Sequence, residues 1–420
     1  MKQEIKERIE QINNGVVPKG YKKSKAGIIP IDWDIITLKE ISTPVHIKNT
    51  TGKISTTFTN SATKGVLKQA EYFDKQISND DNTCGYYIVS PNDYIYNPRI
   101  SSSAPCGPIN QSHYSEQGIV SPLYTVFSLI PNLKENRFFE YYFSSDLWHR
   151  YMFSIANFGA RHDRMNITTI DFYNMPILFP KNIEQEKISE ILSAQDKVIE
   201  LKEKLIEQKH LEKSFIAEQV LYTEDSTISE CKIGEICDTF SGGTPSRKIP
   251  EYYNGNIQWI KSGELNCRII NATDESISIS GLNNSSAKMV KPGTLLIAMY
   301  GATAGAIAFS GIEAAINQAI LAIIPIIDIN SNYLYYALES KIEKLVNKYT
   351  QGGQPNLNAQ IIKSFKIKLP DINEQNHICN ILQIKDKEIE LLEQELEQEK
   401  QKKKALMQLL LTGIVRVKNE

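Results

Sequence analysis

Several short stretches of this chain carry side chains suited to grip phosphates or to hydrogen-bond a polar groove. Ser241-Gly-Gly-Thr-Pro-Ser246 runs directly into Arg247 and Lys248. Gly242 and Gly243 leave backbone amides open to close approach, and the hydroxyls of Ser241, Thr244 and Ser246 stand beside two cations. The other reading of the same residues is a tight turn after a strand. Arg99 with Ser101, Ser102 and Ser103, and the run Arg161-His162-Asp163-Arg164, are the strongest cationic constellations of the first half. Their guanidinium groups suit phosphate or guanine, or else surface pairing with Asp163 and Asp171. Lys261-Ser262-Gly263 and Tyr300-Gly-Ala-Thr303 are small-residue loops that admit close backbone approach. Gln351-Gly-Gly-Gln354 sets two bidentate amides on a glycine hinge, or is a solvated loop. Tyr252, Tyr253 and Trp259 read as packing residues rather than base stackers.

Catalytic chemistry finds less support. Asn97-Pro-Arg99 and Ser121-Pro-Leu-Tyr124 lack the second proline of an amino-methyltransferase loop. Gly242 to Lys248 lacks the glycine before lysine and the hydroxyl after it that a nucleotide-binding loop needs. There is no His-Glu-x-x-His, and six scattered cysteines form no Cys-x-x-Cys pair. His46, His113 and His149 show no metal-ligand spacing. These absences point to a binding protein with no metal site and no cofactor of its own.

The elements that must position these loops emerge from an internal repeat at an offset of 190 residues. Ile177, Pro180, Glu184, Gln185, Ile188, Leu192 and Asp196 recur as Ile367, Pro370, Glu374, Gln375, Ile378, Leu382 and Asp386. The match continues without a gap to Val220-Leu221 and Leu410-Leu411. Each copy opens with a strand ending in proline, Met175–Pro180 or Phe365–Pro370. A helix capped by Asn182 or Asn373 then runs without Gly or Pro to Thr223 or Thr412, roughly 55–60 Å long. Positions seven apart hold Leu192, Ile199, Ile206, Lys213 and Val220, against Leu382, Ile389, Leu396, Lys403 and Leu410. Two such stripes are buried if the helices pack antiparallel within one chain.

The chain thereby divides into a lead-in helix and segment (1–34), a first globule (35–180), a first long helix (181–227), a second globule (228–370), and a second long helix with its tail (371–420). The globules resemble each other weakly. Leu38-Lys-Glu-Ile41 matches Ile233-Gly-Glu-Ile236, and Val89–Tyr96 lies over Val290–Ile297. Short alternating runs predict β-rich domains with some helix, over Asn332–Lys348 and Phe138–Ser154. The fold class expected is α+β: two β-rich domains separated and joined by two long antiparallel helices, with pseudo-twofold repetition.

The net charge of the 420 residues is −2, but each long helix carries −3, leaving +4 on the rest. That excess permits nucleic-acid binding. No run of eighteen apolar residues exists, and the charged first ten residues lack a signal peptide's apolar core. With reduced-looking cysteines, this predicts a cytoplasmic protein without membrane contact.

Taken together, the motifs resemble those of the DNA-specificity subunit of type I restriction–modification systems, over essentially the whole chain. Ser241–Ser246 with Tyr252–Ile260 is similar to the opening of a target-recognition domain. Gly301-Ala-Thr-Ala-Gly305 with Asn317-Gln318 resembles its middle, and Gln351–Asn358, Leu369-Pro370 and Glu374-Gln375 its end. Gly27–Trp33, Asn97-Pro-Arg99, Gly118–Tyr124 and Leu409–Gly413 fit the same family. The first globule departs from it: Ser42-Thr-Pro-Val-His46 replaces the Gly-rich opening, and Gly159–Arg164 replaces the Gln-rich closing loop.

The resemblance implies a non-catalytic chain that binds double-stranded DNA at a two-part sequence, one domain per half-site. It also implies partners: two methyltransferase subunits, which bind S-adenosylmethionine, and endonuclease/translocase subunits. Exposed apolar residues of the long helices, such as Ile188, Phe215 and Leu406, would dock the methyltransferases unless the helix pair buries them. The alternative is a coiled-coil adaptor whose two globules bind something other than DNA.

Overall fold

The computed structural model describes residues 3–72, 83–156, 163–222, 228–351, 354–355 and 357–417. The chain forms two compact units, Met1–Leu201 with Leu396–Glu420, and Lys202–Glu395. Each is α+β, and each is built around an antiparallel sheet with the same strand order.

In the first unit the sheet runs Ser42–Pro44, Thr125–Leu129, Tyr94–Tyr96, Ile109–Gln111. In the second the four antiparallel strands are Cys237–Ser241, Ile320–Pro325, Leu295–Ala298 and Ile307–Ser310, and Ile269–Ile270 extends them by pairing parallel to the last. The sequence likeness of the two globules thus reflects equivalent elements. Leu38–Ile41 and Ile233–Ile236 are single helical turns whose apolar ends are buried. The glutamate of each closes its turn by accepting the N–H three residues back, Thr37 to Glu40 at 2.6 Å and Lys232 to Glu235 at 2.9 Å. Each globule is closed by pairing its first strand with its last. Asp34–Thr37 runs antiparallel to Pro176–Phe179, and Glu230–Lys232 to Lys366–Lys368.

Aromatic rings fill the first core. Tyr94 stacks on Phe127 at 5.4 Å, Tyr96 on Phe172 at 4.9 Å, and Phe143 meets Phe127 edge-on at 5.8 Å. Such pairs each add about 0.5–1.5 kcal/mol beyond their area burial. The second unit uses branched aliphatics in its strands, with Tyr333 and Tyr336 buried on the helix Ser331–Lys348. That helix agrees with the sequence expectation. The one expected over Phe138–Ser154 is broken in two, Phe138–Ser144 and His149–Ile155. Ser145 turns extended, and the buried Trp148 indole donates to the Phe143 carbonyl at 3.0 Å.

Both Gly- and Pro-free segments are 40-residue helices, Asn182–Leu221 and Ile372–Leu411. Both starts differ from the expected caps: the Lys181 carbonyl accepts the N–H groups of Glu184 and Gln185, so Asn182 is already the first residue of its helix, and Asp371 accepts the N–H groups of Asn373 and Glu374, so Asn373 lies inside the other. The repeated glutamine explains part of the duplicated motif. Gln185 and Gln375 each donate to the carbonyl of the preceding proline, at 2.7 and 2.9 Å. Their carbonyl oxygens accept from Asn136 and from the Asn330 backbone, tying helix to globule.

Within each unit the first half of one long helix packs antiparallel on the second half of the other. Ile188 and Leu192 share a core with Leu410 and Leu411, and Ala217 and Leu221 share one with Ile378 and Leu382. The lysines interrupting both apolar stripes are paired. Lys403 meets Asp196 at 2.5 Å, and Asp196 accepts the Tyr141 hydroxyl at 2.7 Å. The repeat-equivalent Lys213 meets Asp386 at 2.6 Å, and Asp386 accepts the Tyr336 hydroxyl at 2.6 Å. Of the helix residues expected to be exposed, Phe215 is, Leu406 is half-buried and Ile188 is fully buried. No helix among the described residues is long and apolar enough to cross a membrane.

Candidate functional site

In the second unit the candidate segments converge on the turn Ile316–Ala319, which joins Ala314–Ile316 to Ile320–Pro325. The Gly243 N–H donates to the Ile316 carbonyl, and Asn317 N–H to the carbonyl of Ile260, the residue before Lys261. Met299, which precedes Tyr300, donates its N–H to Ala319 and accepts from Leu357 N–H at 2.7 Å, just beyond the Gln351–Gln354 hairpin. Two glycines are required here. A Cβ on Gly242 would sit 1.8 Å from the Ile316 carbonyl oxygen, and one on Gly243 would sit 2.5 Å from the Ser286 backbone. The loop is therefore both a tight structural turn and an exposed rim.

Thr244, Ser246, Arg247 and Lys248 are exposed on that rim, while Ser241 is half-buried at the end of its strand. The Thr244 hydroxyl donates to Oε1 of Gln318, itself exposed. Arg247 and Lys261 meet on one carboxylate: Glu275 accepts Arg247 Nη1 at 2.6 Å and Lys261 Nζ at 2.8 Å. These two cations hold the Glu275 carboxyl down at about 2. Tyr253 and Trp259 are not stacking platforms. Trp259 is buried, its Nε1–H donates to Gly243, and the Tyr253 hydroxyl donates to Pro245, so both rings brace the loop. Ser262 opens a short helical turn, Tyr300 is exposed, and Thr303 is half-buried with its carbonyl accepting from Ala306. The backbones of Gln351 and Gln354 pair across a hairpin.

The first unit gathers a smaller set. Arg99 and Arg164 face each other across an isolated antiparallel bridge, flanked by Ile100 N–H to Asp163 O and Met165 N–H to Pro98 O. Asp163 pairs with Arg164 at 3.8 Å, whereas Asp171 receives the Thr168 hydroxyl at 2.6 Å at the start of the next helix. Ser101 and Ser103 share a hydrogen bond at 3.2 Å beside exposed Ser102. Arg161 and His162 lie outside the described residues. The equivalent backbone link in the second unit is Met299 to Leu357, so the same place in both folds carries candidate residues.

Two members of the second cluster escaped the sequence reading. Gln318 had a signal, since it belongs to the Asn317-Gln318 pair. Glu275 had none, because only the fold brings it to Arg247 and Lys261. The expected open glycine amides are not there, since Gly242 and Gly243 are buried and the Gly243 N–H is taken by Ile316. The groups the rim offers are hydroxyls, an exposed carboxamide and guanidinium or ammonium groups, the donors that phosphate oxygens and base-edge acceptors take.

The family model described as the type I restriction modification DNA specificity domain matches the chain twice, over residues 30–209 and 226–401. Over 232 residues, 53% of this chain, it is 28% identical to the Type I restriction enzyme EcoR124I/EcoR124II specificity subunit of Escherichia coli, 57% of which is covered. Over 273 residues it is 29% identical to the MjaVIII specificity subunit of Methanocaldococcus jannaschii, covering 59% of this chain and 64% of that one. The matched stretches thus span less than two thirds of these curated relatives. A solved chain from work on complex assembly and conformational transition of the type I R-M system shares the fold, with a TM-score of 0.64 at 15% identity, covering 92% of this chain and 99% of that chain. Two matches to one domain model, falling on two globules with one strand order, have a single source: the chain belongs to the type I restriction modification DNA-specificity family.

Proposed function

We propose that this chain is the DNA-recognition subunit of a type I restriction–modification complex. It reads a two-part DNA target, with residues 35–180 on one half-site and 228–370 on the other. The stretches 181–227 and 371–420 are the spacer, and 1–34 the lead-in. The chain carries no catalysis itself. It directs two methyltransferase subunits, which supply S-adenosylmethionine chemistry, and endonuclease/translocase subunits, all in the cytoplasm. The double match to a DNA specificity domain carries this reading.

The contact residues proposed are Arg99, Ser101, Ser102, Arg161, His162 and Arg164 in the first domain. In the second they are Ser241, Gly243, Thr244, Ser246, Arg247, Lys248, Lys261, Ser262, Tyr300, Thr303, Gln351 and Gln354, to which Gln318 is added. Exposed apolar side chains of the long helices, Phe215 among them, are the surface offered to the methyltransferases. Methylome sequencing of cells with and without the gene tests the whole reading: a bipartite methylated sequence present only with the gene is expected. Its absence, together with no affinity of the chain plus its methyltransferase for any duplex, favours a coiled-coil adaptor instead.

A further inference from the structure

Arg247 and Lys261 lie on different segments, yet their charged ends share the two oxygens of Glu275. The main chain that carries this carboxylate is held in place: the Glu275 backbone carbonyl accepts the Trp259 N–H at 3.1 Å and the Thr273 hydroxyl at 2.7 Å. The Arg247 guanidinium is fixed as well, lying 4.4 Å from the Tyr253 ring centroid and 5.4 Å from that of Trp259. All three charged side chains remain within reach of solvent, with Arg247 57%, Glu275 32% and Lys261 28% exposed. An approaching anion can therefore reach the cations, but meets a carboxylate already seated on both.

We propose that Glu275 is a specificity-determining counter-charge: it occupies Arg247 and Lys261 until a DNA phosphate displaces it. The inference rests on the DNA-recognition reading above. A phosphate of any duplex competes with a carboxylate of like charge for the same donors, so the exchange gains little by itself. On a mismatched duplex these two cations consequently add little to counterion release. On a matched one, contacts elsewhere in the domain hold the phosphate in place, and the exchange goes through. Suppressing affinity for wrong sequences raises discrimination as surely as adding contacts to the right one.

The test is salt-dependent binding of the full chain with its methyltransferase to a scrambled-sequence duplex and to a duplex carrying the sequence methylated in cells that hold the gene. Each phosphate neutralised contributes about −0.9 to the slope of log K against log salt. In Glu275→Gln both cations are released, so the slope on scrambled DNA steepens by up to ~1.8, and the loss of affinity from about 50 to about 200 mM salt grows by about tenfold. The ratio of matched to scrambled affinity falls in the same variant. Adding Arg247→Ala to Glu275→Gln removes about half the change. Glu275→Asp, whose shorter arm reaches one cation, gives an intermediate slope and serves if the glutamine variant fails to fold. An unchanged slope in a folded Glu275→Gln chain, or the same steepening after both cations are also replaced by alanine, overturns the proposal. Wild-type chain with its methyltransferase that binds neither duplex overturns the DNA reading itself, an outcome distinct from an unchanged slope.

Discussion

Replacing Arg416 by alanine removes the guanidinium that ties the C-terminal tail to the lead-in segment and to the start of the first long helix. Arg416 donates to both oxygens of Asp32 at 2.8 and 2.7 Å and to both oxygens of Glu184 at 2.8 and 2.9 Å. Asp32 is 34% exposed, but the side chain of Glu184 is 7% exposed and that of Arg416 14%. Truncating one partner of a buried pair costs about 3–5 kcal/mol, because the other charge is left behind. Glu184 keeps the Trp33 indole N–H at 2.8 Å and the Val417 N–H at 3.3 Å, which places the loss near the lower end, about 3 kcal/mol. For a unit of this size that corresponds to a fall in Tm of about 6–12 °C.

The pH dependence makes the expectation sharper. Burial pushes the Glu184 carboxyl up, but the hydrogen bonds from Arg416 and Trp33 outweigh it and hold the group below its ordinary value of 4.5. A depressed carboxylate contributes stability above its unfolded pKa and loses it as pH falls through the folded one. The gap between wild type and Arg416→Ala is therefore full at pH 7 and narrows as pH drops through and below 4.5. Calorimetry across that range reads it directly. A loss below about 1 kcal/mol, or a gap that stays constant with pH, would refute the assignment of Arg416 and Glu184 as a buried, charged pair.

The other expectations follow from the same geometry. Asp386→Ala costs about 3 kcal/mol and Asp196→Ala about 2, because Asp386 serves Arg268 in addition to a tyrosine and a lysine; equal losses in urea titration contradict this ranking. Gly242→Ala forces its methyl into the Ile316 carbonyl and costs about 1–3 kcal/mol, while Gly263→Ala, with open space at its Cβ, changes stability little. Matching melting curves for the two variants count against the required close approach. Gln318→Ala relaxes one base position of the methylated sequence, equivalent to about 1–3 kcal/mol of discrimination, at unaltered Tm. An identical methylome in that variant removes Gln318 from the reading surface.

The long helices were legible because their signal is local and repeated: no Gly or Pro interrupts them, and one apolar stripe occurs twice. Even the lysines at 213 and 403, which looked like flaws in that stripe, answer to Asp386 and Asp196 at repeat-equivalent places. The strand Pro176–Phe179 was legible from its proline stop, whereas Leu38–Ile41 was visible only as a likeness to Ile233–Ile236, and its helical turn was not. What the sequence left hidden depends on contacts between distant segments. The break at Ser145 follows from where Trp148 must bury, and the cap at Asp371 competes with an equally plausible asparagine two residues on. The candidate surface was half visible. Its glycines and cations advertise themselves, yet Glu275 is an ordinary surface glutamate until strand pairing carries it to Arg247.

The first unit is assembled from both arms of the polypeptide, whereas the second is one uninterrupted stretch, Lys202–Glu395. During synthesis, therefore, the residues of the second unit have all left the ribosome before Leu410, Leu411 and Arg416 emerge to complete the first. Domains usually mature in the order they are translated. Here the earliest-made globule must wait longest for its last core side chains, so a nascent chain arrested just after Glu395 holds every residue of the later domain and an earlier one still missing part of its interior.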